Sequence, residues 1–281
     1  MKDHLLNILS KFNAEKYHTT VHITQEANDA TDYIMNYGTG YDLIVSCGGD
    51  GTFNEVLRGI YTSEKEFAPI ACIPAGTVND FAHSLGMSND VMKSAEDILT
   101  ASIHDYDFGI FNDQIFSYVA AAGAFTEVSY STPQYLKNLF GKFAYYFEGA
   151  RKLADIGQSF DLKIQIDDEI IEGNFVFIAV SNTKSIGGIL QFNESKDVLT
   201  DGLFELLLIR APQNPKDLQK LMYAFRVHVY DNDCIQCLRG KSFKITSKKP
   251  LPWTLDGEYA GVFEQTTIKL SEKNIRLQYP G

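Results

Sequence analysis

The sequence predicts an α/β domain followed by a mostly antiparallel β domain, and three observations carry that expectation. Apolar runs and amphipathic stretches alternate through about residue 104, the pattern of a mostly parallel sheet with crossover helices. Beyond that point, segments of period-two alternation follow one another around Asn-Asp and Asp-Asp turns, as antiparallel hairpins do. A length of 281 residues is enough for two domains, each with its own core.

Taken in order, Leu5, Ile8, Leu9 and Phe12 recur at helical spacing, and TTVHIT at 19–24 alternates as a strand. A helix over 28–37, the strand YDLIVSC, the helix FNEVLRGI and the strand APIACI follow, then the helices VNDFAHSLG and VMKSAEDILTAS. A boundary near residue 108 separates this first domain, 1–108, from a second at 109–270, with 271–281 returning to the first. GIFNDQIFSYVAAAG and DLKIQIDDEIIEGNFVFIAVSN read as strand pairs, and residues 133–156 between them as helical. GLFELLLIR, KSFKITS, WTLDGEYAG and TTIKLS are further strands, with one helix over 215–229. Two such domains leave a cleft between them.

The formal net charge of −11 argues against a nucleic-acid partner, because a phosphate backbone is held by clustered Lys and Arg. MKDHLLNILSKF is too short and polar for a signal sequence, and nowhere do eighteen apolar residues run together, so the expected compartment is the cytoplasm. Cys47 and Cys72 lie inside apolar runs, as buried thiols do in a reducing compartment. Cys234-Ile-Gln-Cys237 is a lone CxxC with no second pair at zinc spacing, and the six histidines are scattered.

The chemistry concentrates in two glycine-rich turns. In an open parallel sheet, ligands bind beyond the carboxyl ends of the strands, where DLIVSCGGDGT and IPAGTVND both fall. Gly48, Gly49 and Gly51 lack Cβ atoms, so the backbone there is free to take unusual φ and to lie against a phosphate at the start of the next helix. Asp50 beside a phosphate chain is tolerable where Mg²⁺ lies between them or a proton is moved, and Thr52 adds a hydroxyl. The turn is neither a Walker A sequence nor the spaced glycines of a dinucleotide fold.

GGDGTFNEV, PAGTVNDFAHSLG, the Asp107-Phe-Gly109 step, VLTDGLFEL and LDGE occur in one order across nearly the whole chain. Together they resemble the bacterial diacylglycerol kinase family, relatives of the sphingosine and ceramide kinases. GGDGT alone is shared with NAD kinases and phosphofructokinases; GGDGT followed by GTxNDFA and a late DGE is far more specific. The resemblance implies an NAD kinase/phosphofructokinase-like first domain, a β-sandwich second domain, and ATP and Mg²⁺ as cofactors. It also implies a lipid substrate met at the inner membrane face by transient peripheral contact, and it admits a homodimer.

Residue by residue, the resemblance places the nucleotide on Gly48, Gly49, Asp50, Gly51, Thr52, Phe53, Asn54 and Glu55, with Gly76, Thr77 and Thr24 completing the contacts. The resemblance also implies that Asp50, Asp80 and Asp107 form the acidic network that handles the catalytic Mg²⁺, and that Glu258 is the general base for the lipid hydroxyl. A structural Mg²⁺ is expected on Asp201 and the carbonyls of Val198 and Leu203; a plain Asp-Gly turn between strands reads equally well there. In YLKNLFGKFAYYFEGARKL, Leu136, Leu139, Phe140, Phe143 and Phe147 stand near helical spacing, with Lys137, Lys142, Arg151 and Lys152 among them. That suits an interfacial helix or a core-packed one.

The sequence departs from the family at its start, where the strand ending in Asn-Pro-x-Ser-Gly does not occur: either the start lies upstream or part of the nucleotide site is lost, and weak ATP affinity is expected of this form. Two rival readings follow: a soluble-substrate kinase of the NAD kinase type, and a catalytically silent nucleotide- or lipid-binding protein of the same fold.

Overall fold

The computed structural model describes residues 4–77, 79–123, 159–182, 185–186, 190–191, 201–227, 233–273 and 275–280. The chain divides into two units, Met1–Tyr106 with Glu272–Gly281, and Asp107–Ser271.

The first unit carries the helices α1 (Leu5–Ala14), α2 (Asp29–Tyr37), α3 (Asp50–Thr62), α4 (Asp80–Ser84) and α5 (Val91–Thr100). Its strands are β1 (Ile44–Gly48), β2 (Ile70–Pro74), β3 (Ser102–Tyr106) and the last strand of the chain, β15 (Ile275–Tyr279). They run in the order β1-β2-β15-β3, with β2 parallel to both β1 and β15, and β15 antiparallel to β3. In α3 the apolar positions Phe53, Val56, Leu57 and Ile60 all fall on the buried side, which packs against β1 and α2. β2 is buried at every position, as a central parallel strand covered on both faces should be.

TTVHIT is not a strand. Residues 17–25 are irregular, and Val21 and Ile23 are exposed. The segment is tied to a helix instead of a ladder: the Gln25 N–H donates to the Asp29 carboxylate at 2.7 Å, His22 pairs with the same carboxylate at 2.9 Å, and its ring stacks on Tyr33. The Gln25 N–H first, and then His22, hold the Asp29 carboxyl below its ordinary value. Alternation marks a segment able to pair, and pairing needs a neighbouring strand. The sheet also holds two strands unforeseen in the sequence, β3 and β15.

The second unit is built on the strands β4 (Gly109–Phe111), β5 (Gln114–Phe116), β6 (Val119–Gly123), β7 (Phe160–Ile166) and β8 (Glu169–Ser181). A short pair, β9 (Ser185–Ile186) and β10 (Leu190–Gln191), follows, then β11 (Phe204–Arg210), β12 (Ile235–Gly240), β13 (Ser242–Leu255) and β14 (Glu258–Leu270). Helix α6 spans Pro215–Val227. Nine strands form one antiparallel sheet in the order β12-β11-β8-β6-β13-β14-β4-β5, with β7 paired to both β13 and β8. Trp253, Phe111, Phe116, Phe175, Phe204 and Phe243 are fully buried in its core.

The CxxC falls at the start of β12, with Cys234 buried and Cys237 exposed, and both are free thiols. Among the described residues no group of three or more His, Cys, Asp or Glu is placed to hold a metal ion, and no helix is long and apolar enough to cross a membrane. The helix expected over 133–156, with its aromatic and basic residues, lies outside the described residues.

Candidate functional site

β1 ends on Gly48 and α3 begins at Asp50, so GGDGT is a single strand-to-helix turn. β2 ends on Pro74, and the neighbouring turn runs from there into α4. The Ala75 N–H donates to the Gly48 carbonyl at 2.9 Å, stitching the two turns together. They then meet backbone to backbone. A Cβ on Gly76 would stand 2.4 Å from the Gly49 Cα, and one on Gly48 would stand 2.4 Å from Thr52 Oγ1. Gly48, Gly49, Gly51 and Gly76 are not among the positive-φ glycines, so at Gly48, Gly49 and Gly76 close approach, and not an unusual φ, is what requires glycine.

The left-handed residue is Asn79, with φ of 56°. Its Oδ1 accepts from the Gly76 N–H at 2.9 Å, and its Nδ2 donates to the Gly76 carbonyl at 3.0 Å, which locks the turn from within. The sequence reading passed over Asn79; the signal was there, since Asn is the residue other than Gly that best tolerates this conformation.

Asp50 bridges the turns. One carboxylate oxygen accepts from the Asp80 N–H at 3.1 Å and the other from the Phe81 N–H at 3.0 Å, capping the start of α4. The N-cap of α3 is Gly49, which has no side chain to cap it, and the first-turn N–H groups and dipole of a helix favour an anion. Beside the second turn opens a polar cavity of about 400 Å³, lined by Ala75, Gly76, Thr77, Asn79, His4 and His83 among others. That volume is within the range of small-molecule sites, about 300–1,000 Å³.

Other expected nucleotide residues serve the scaffold. Phe53 is buried and stacks on Phe81 at 4.1 Å, fixing α3 against α4. Glu55 accepts from the Asn28 and Ala30 N–H groups, capping α2, while Asn54 is half-buried on α3. Thr24 is exposed in the irregular segment.

Asp107, Asp201, Leu203 and Glu258 belong to the second unit. Asp107 accepts from the Gly202 N–H at 2.8 Å. Glu258 is exposed at the first position of β14. Val198 lies outside the described residues.

Antiparallel β strands make up one unit, and in the other the paired glycine turns stand at the carboxyl edge of parallel strands, where open α/β sheets bind their ligands. Residues 1–110 match the diacylglycerol kinase catalytic domain, and residues 119–276 match the YegS C-terminal NAD kinase beta sandwich-like domain. The diacylglycerol kinase of Bacillus subtilis (strain 168) is 30% identical over 271 residues, covering 96% of this chain and 88% of that protein. A crystal structure from Bacillus anthracis str. Sterne, described as a candidate diacylglycerol kinase, has a TM-score of 0.75 at 26% identity, over 91% of this chain and 82% of its own. An NAD kinase from Archaeoglobus fulgidus, solved in complex with ATP, shares the fold with a TM-score of 0.53 at 13% identity, over 98% of this chain and 88% of its own. The chain belongs to the diacylglycerol kinase family.

The donor sets answer differently to the metal ions that the resemblance implies. Asp50 keeps acceptor capacity on both oxygens after its two N–H bonds, and hard oxygen donors suit a hydrated Mg²⁺. At Asp201 a cation of the chain already stands beside the carboxylate. One of its oxygens pairs with the Arg239 guanidinium and the other accepts from the Leu203 N–H at 3.0 Å. Arg239 also bonds the buried Glu205, so the chain supplies its own cation where the structural Mg²⁺ was expected.

Burial pushes the Glu205 carboxyl up to about 7, with Arg239 opposing. Between its ordinary 4.5 and about 7, folded Glu205 keeps a proton that the unfolded chain releases, so stability falls as pH rises through that window. Glu205→Gln, which stays neutral, is expected to match the parent near pH 5 and to exceed it at pH 8, by on the order of 3 kcal/mol at most. Urea denaturation at the two pH values checks this; an identical difference at both would refute it.

The glycine contacts yield a paired test. Gly76→Ala forces a Cβ into the Gly49 backbone, whereas Gly86 has φ of 72° with nothing within 4 Å of its Cβ position. Overpacking at Gly76 and left-handed strain at Gly86 each cost about 1–3 kcal/mol. Only Gly76→Ala is expected to abolish nucleotide binding by calorimetry. Equal binding by the two variants would show that the turn contact is unrelated to the ligand.

Proposed function

We propose that this chain is an ATP- and Mg²⁺-dependent lipid kinase that phosphorylates the free hydroxyl of diacylglycerol or a close relative, giving phosphatidic acid. The observation that carries this reading is the backbone-to-backbone packing of the two glycine turns, bridged by Asp50, in a chain of this family. The N–H groups at the start of α3, together with the exposed Thr77 and the hydroxyls of Thr52 and Thr77, hold the phosphate chain. Asp50 and Asp80 hold the ion. Mg²⁺, when bound, neutralises charge that develops on the transferring phosphoryl oxygens.

Glu258 takes the proton as the lipid O–H bond breaks. The lipid oxygen bonds to the γ-phosphorus, the bond to the β,γ-bridging oxygen breaks, and ADP leaves with that electron pair. Because the acceptor is a membrane lipid, the enzyme works by transient contact with the membrane surface.

The deciding experiment offers mixed micelles of diacylglycerol, monoacylglycerol, ceramide and sphingosine, with NAD in a parallel reaction, to the protein with ATP labelled at the γ-position. Label on diacylglycerol is expected. Label on NAD would establish the soluble-substrate kinase, and no transfer despite nucleotide binding would establish the silent binder.

A further inference from the structure

We propose that Asp256 is a positioning residue for phosphoryl transfer: it fixes the backbone that carries Glu258 and couples it to the loop that holds Asp107. This rests on the reading of Glu258 as the base.

Leu255 and Glu258 face one another across β13 and β14, so Asp256 and Gly257 form a two-residue hairpin, with φ of 50° and 85°. Two other hairpin tips in the same sheet, Asn112-Asp113 and Asp167-Asp168, begin with residues of similar φ and remain exposed. Asp256 is 7% exposed. Its Oδ2 accepts from the Ser117 N–H at 2.6 Å and from the Ser117 hydroxyl at 3.0 Å. Its Oδ1 accepts from the N–H groups of Tyr118 at 2.9 Å and Val119 at 3.0 Å, and the Asp256 N–H donates back to the Val119 carbonyl at 2.8 Å. A carboxylate has about four lone-pair sites, and all are engaged here.

The loop thus clamped leads to the second acidic residue. The Tyr118 carbonyl accepts from the Asn182 N–H at 3.0 Å, and Asn182 Nδ2 donates to the Asp107 carbonyl. Asp107 in turn fixes Gly202 through its carboxylate. Ser117 and Asn182 are fully buried. One continuous set of hydrogen bonds therefore joins the turn before Glu258 to Asp107, and neither residue depends on a flexible loop for its place.

A hairpin of this type needs no buried charge, since an exposed Asn-Gly or Asp-Gly tip closes it as well. Asp167 does the surface version of the same task, accepting from the Lys241 and Ser242 N–H groups. Burying a carboxylate is costly unless each lone pair is met, and here four donors meet them, two residues before the proposed base. Holding a base to within a fraction of an ångström is worth more than closing a turn, because a misplacement of about 1 Å costs on the order of a hundredfold in rate.

The test is a double-mutant cycle in diacylglycerol mixed micelles with labelled ATP. Asp256→Asn keeps the shape but offers one acceptor oxygen for four donors. It is expected to lower kcat about tenfold or more while KM for ATP stays within about twofold. In a Glu258→Gln background the same substitution should cost markedly less, because the base it positions is gone. Asp167→Asn is the control: stability lost, kcat kept. Should Asp256→Asn not fold, Ser117→Ala removes one donor and leaves three backbone ones; a fall of about threefold in kcat, markedly smaller in the Glu258→Gln background, is then expected. Equal losses with and without Glu258 would overturn the positioning role while leaving the base intact. Glu258→Gln with unchanged kcat would overturn the functional reading itself, and the proposal with it.

Discussion

Asp50→Asn is expected to fold and to lose about a hundredfold or more in turnover, the size of effect seen when a preorganised electrostatic group is removed from a reacting centre. The geometry adds a second consequence that the sequence did not reveal. Both oxygens of Asp50 accept backbone N–H groups, from Asp80 and Phe81, so the carboxylate shapes the start of α4 as well as serving the proposed nucleotide site. In the Asn variant one of those N–H groups meets an amide donor. Leaving it unsatisfied costs about 1–3 kcal/mol, local to the second glycine turn. The expected result is therefore a modest drop in the urea midpoint together with a large drop in kcat at saturating Mg²⁺ and ATP. Near-normal turnover, with diacylglycerol as acceptor, would reduce Asp50 to a helix cap.

That double duty illustrates how far the sequence was readable. Strand and helix types followed from apolar period in α1, α2, α3 and α5, because each has one face buried and the face is written into the spacing. GGDGT and GTVND were readable as a pair because both close adjacent parallel strands. Their reason was not: Gly49 and Gly76 are small because they touch one another across 27 positions, and no local pattern encodes that contact. TTVHIT failed for the complementary reason. It has the alternation of a strand, and its hydrogen bonds go to Asp29. β15 alternates too, yet only its place between β2 and β3 shows that it completes the first sheet. Arg239 beside Asp201 and the Ser117–Asp256 bonds join residues 38 and 139 positions apart, beyond the reach of any motif.

Glu258→Gln is expected to lower kcat by about a hundredfold to ten-thousandfold, the range that a general base supplies. The substitution keeps length and shape and removes the proton-accepting charge. Glu258 is exposed at the head of β14, and its backbone is set by the Asp256–Gly257 tip, so the fold has no stake in its carboxylate and stability should be unchanged. Glu258 is read as a proton acceptor and not as a nucleotide contact, so KM for ATP and calorimetric nucleotide binding should also be unchanged. This combination separates a base from a binding group: a residue that acts only as the proton leaves the hydroxyl lowers kcat and kcat/KM for lipid together. Single-turnover transfer from labelled ATP to diacylglycerol micelles, with calorimetry on the same preparation, measures both quantities. Weakened ATP binding with full turnover at saturation would place Glu258 on the nucleotide, and the base would then have to be sought among the other carboxylates of the second unit.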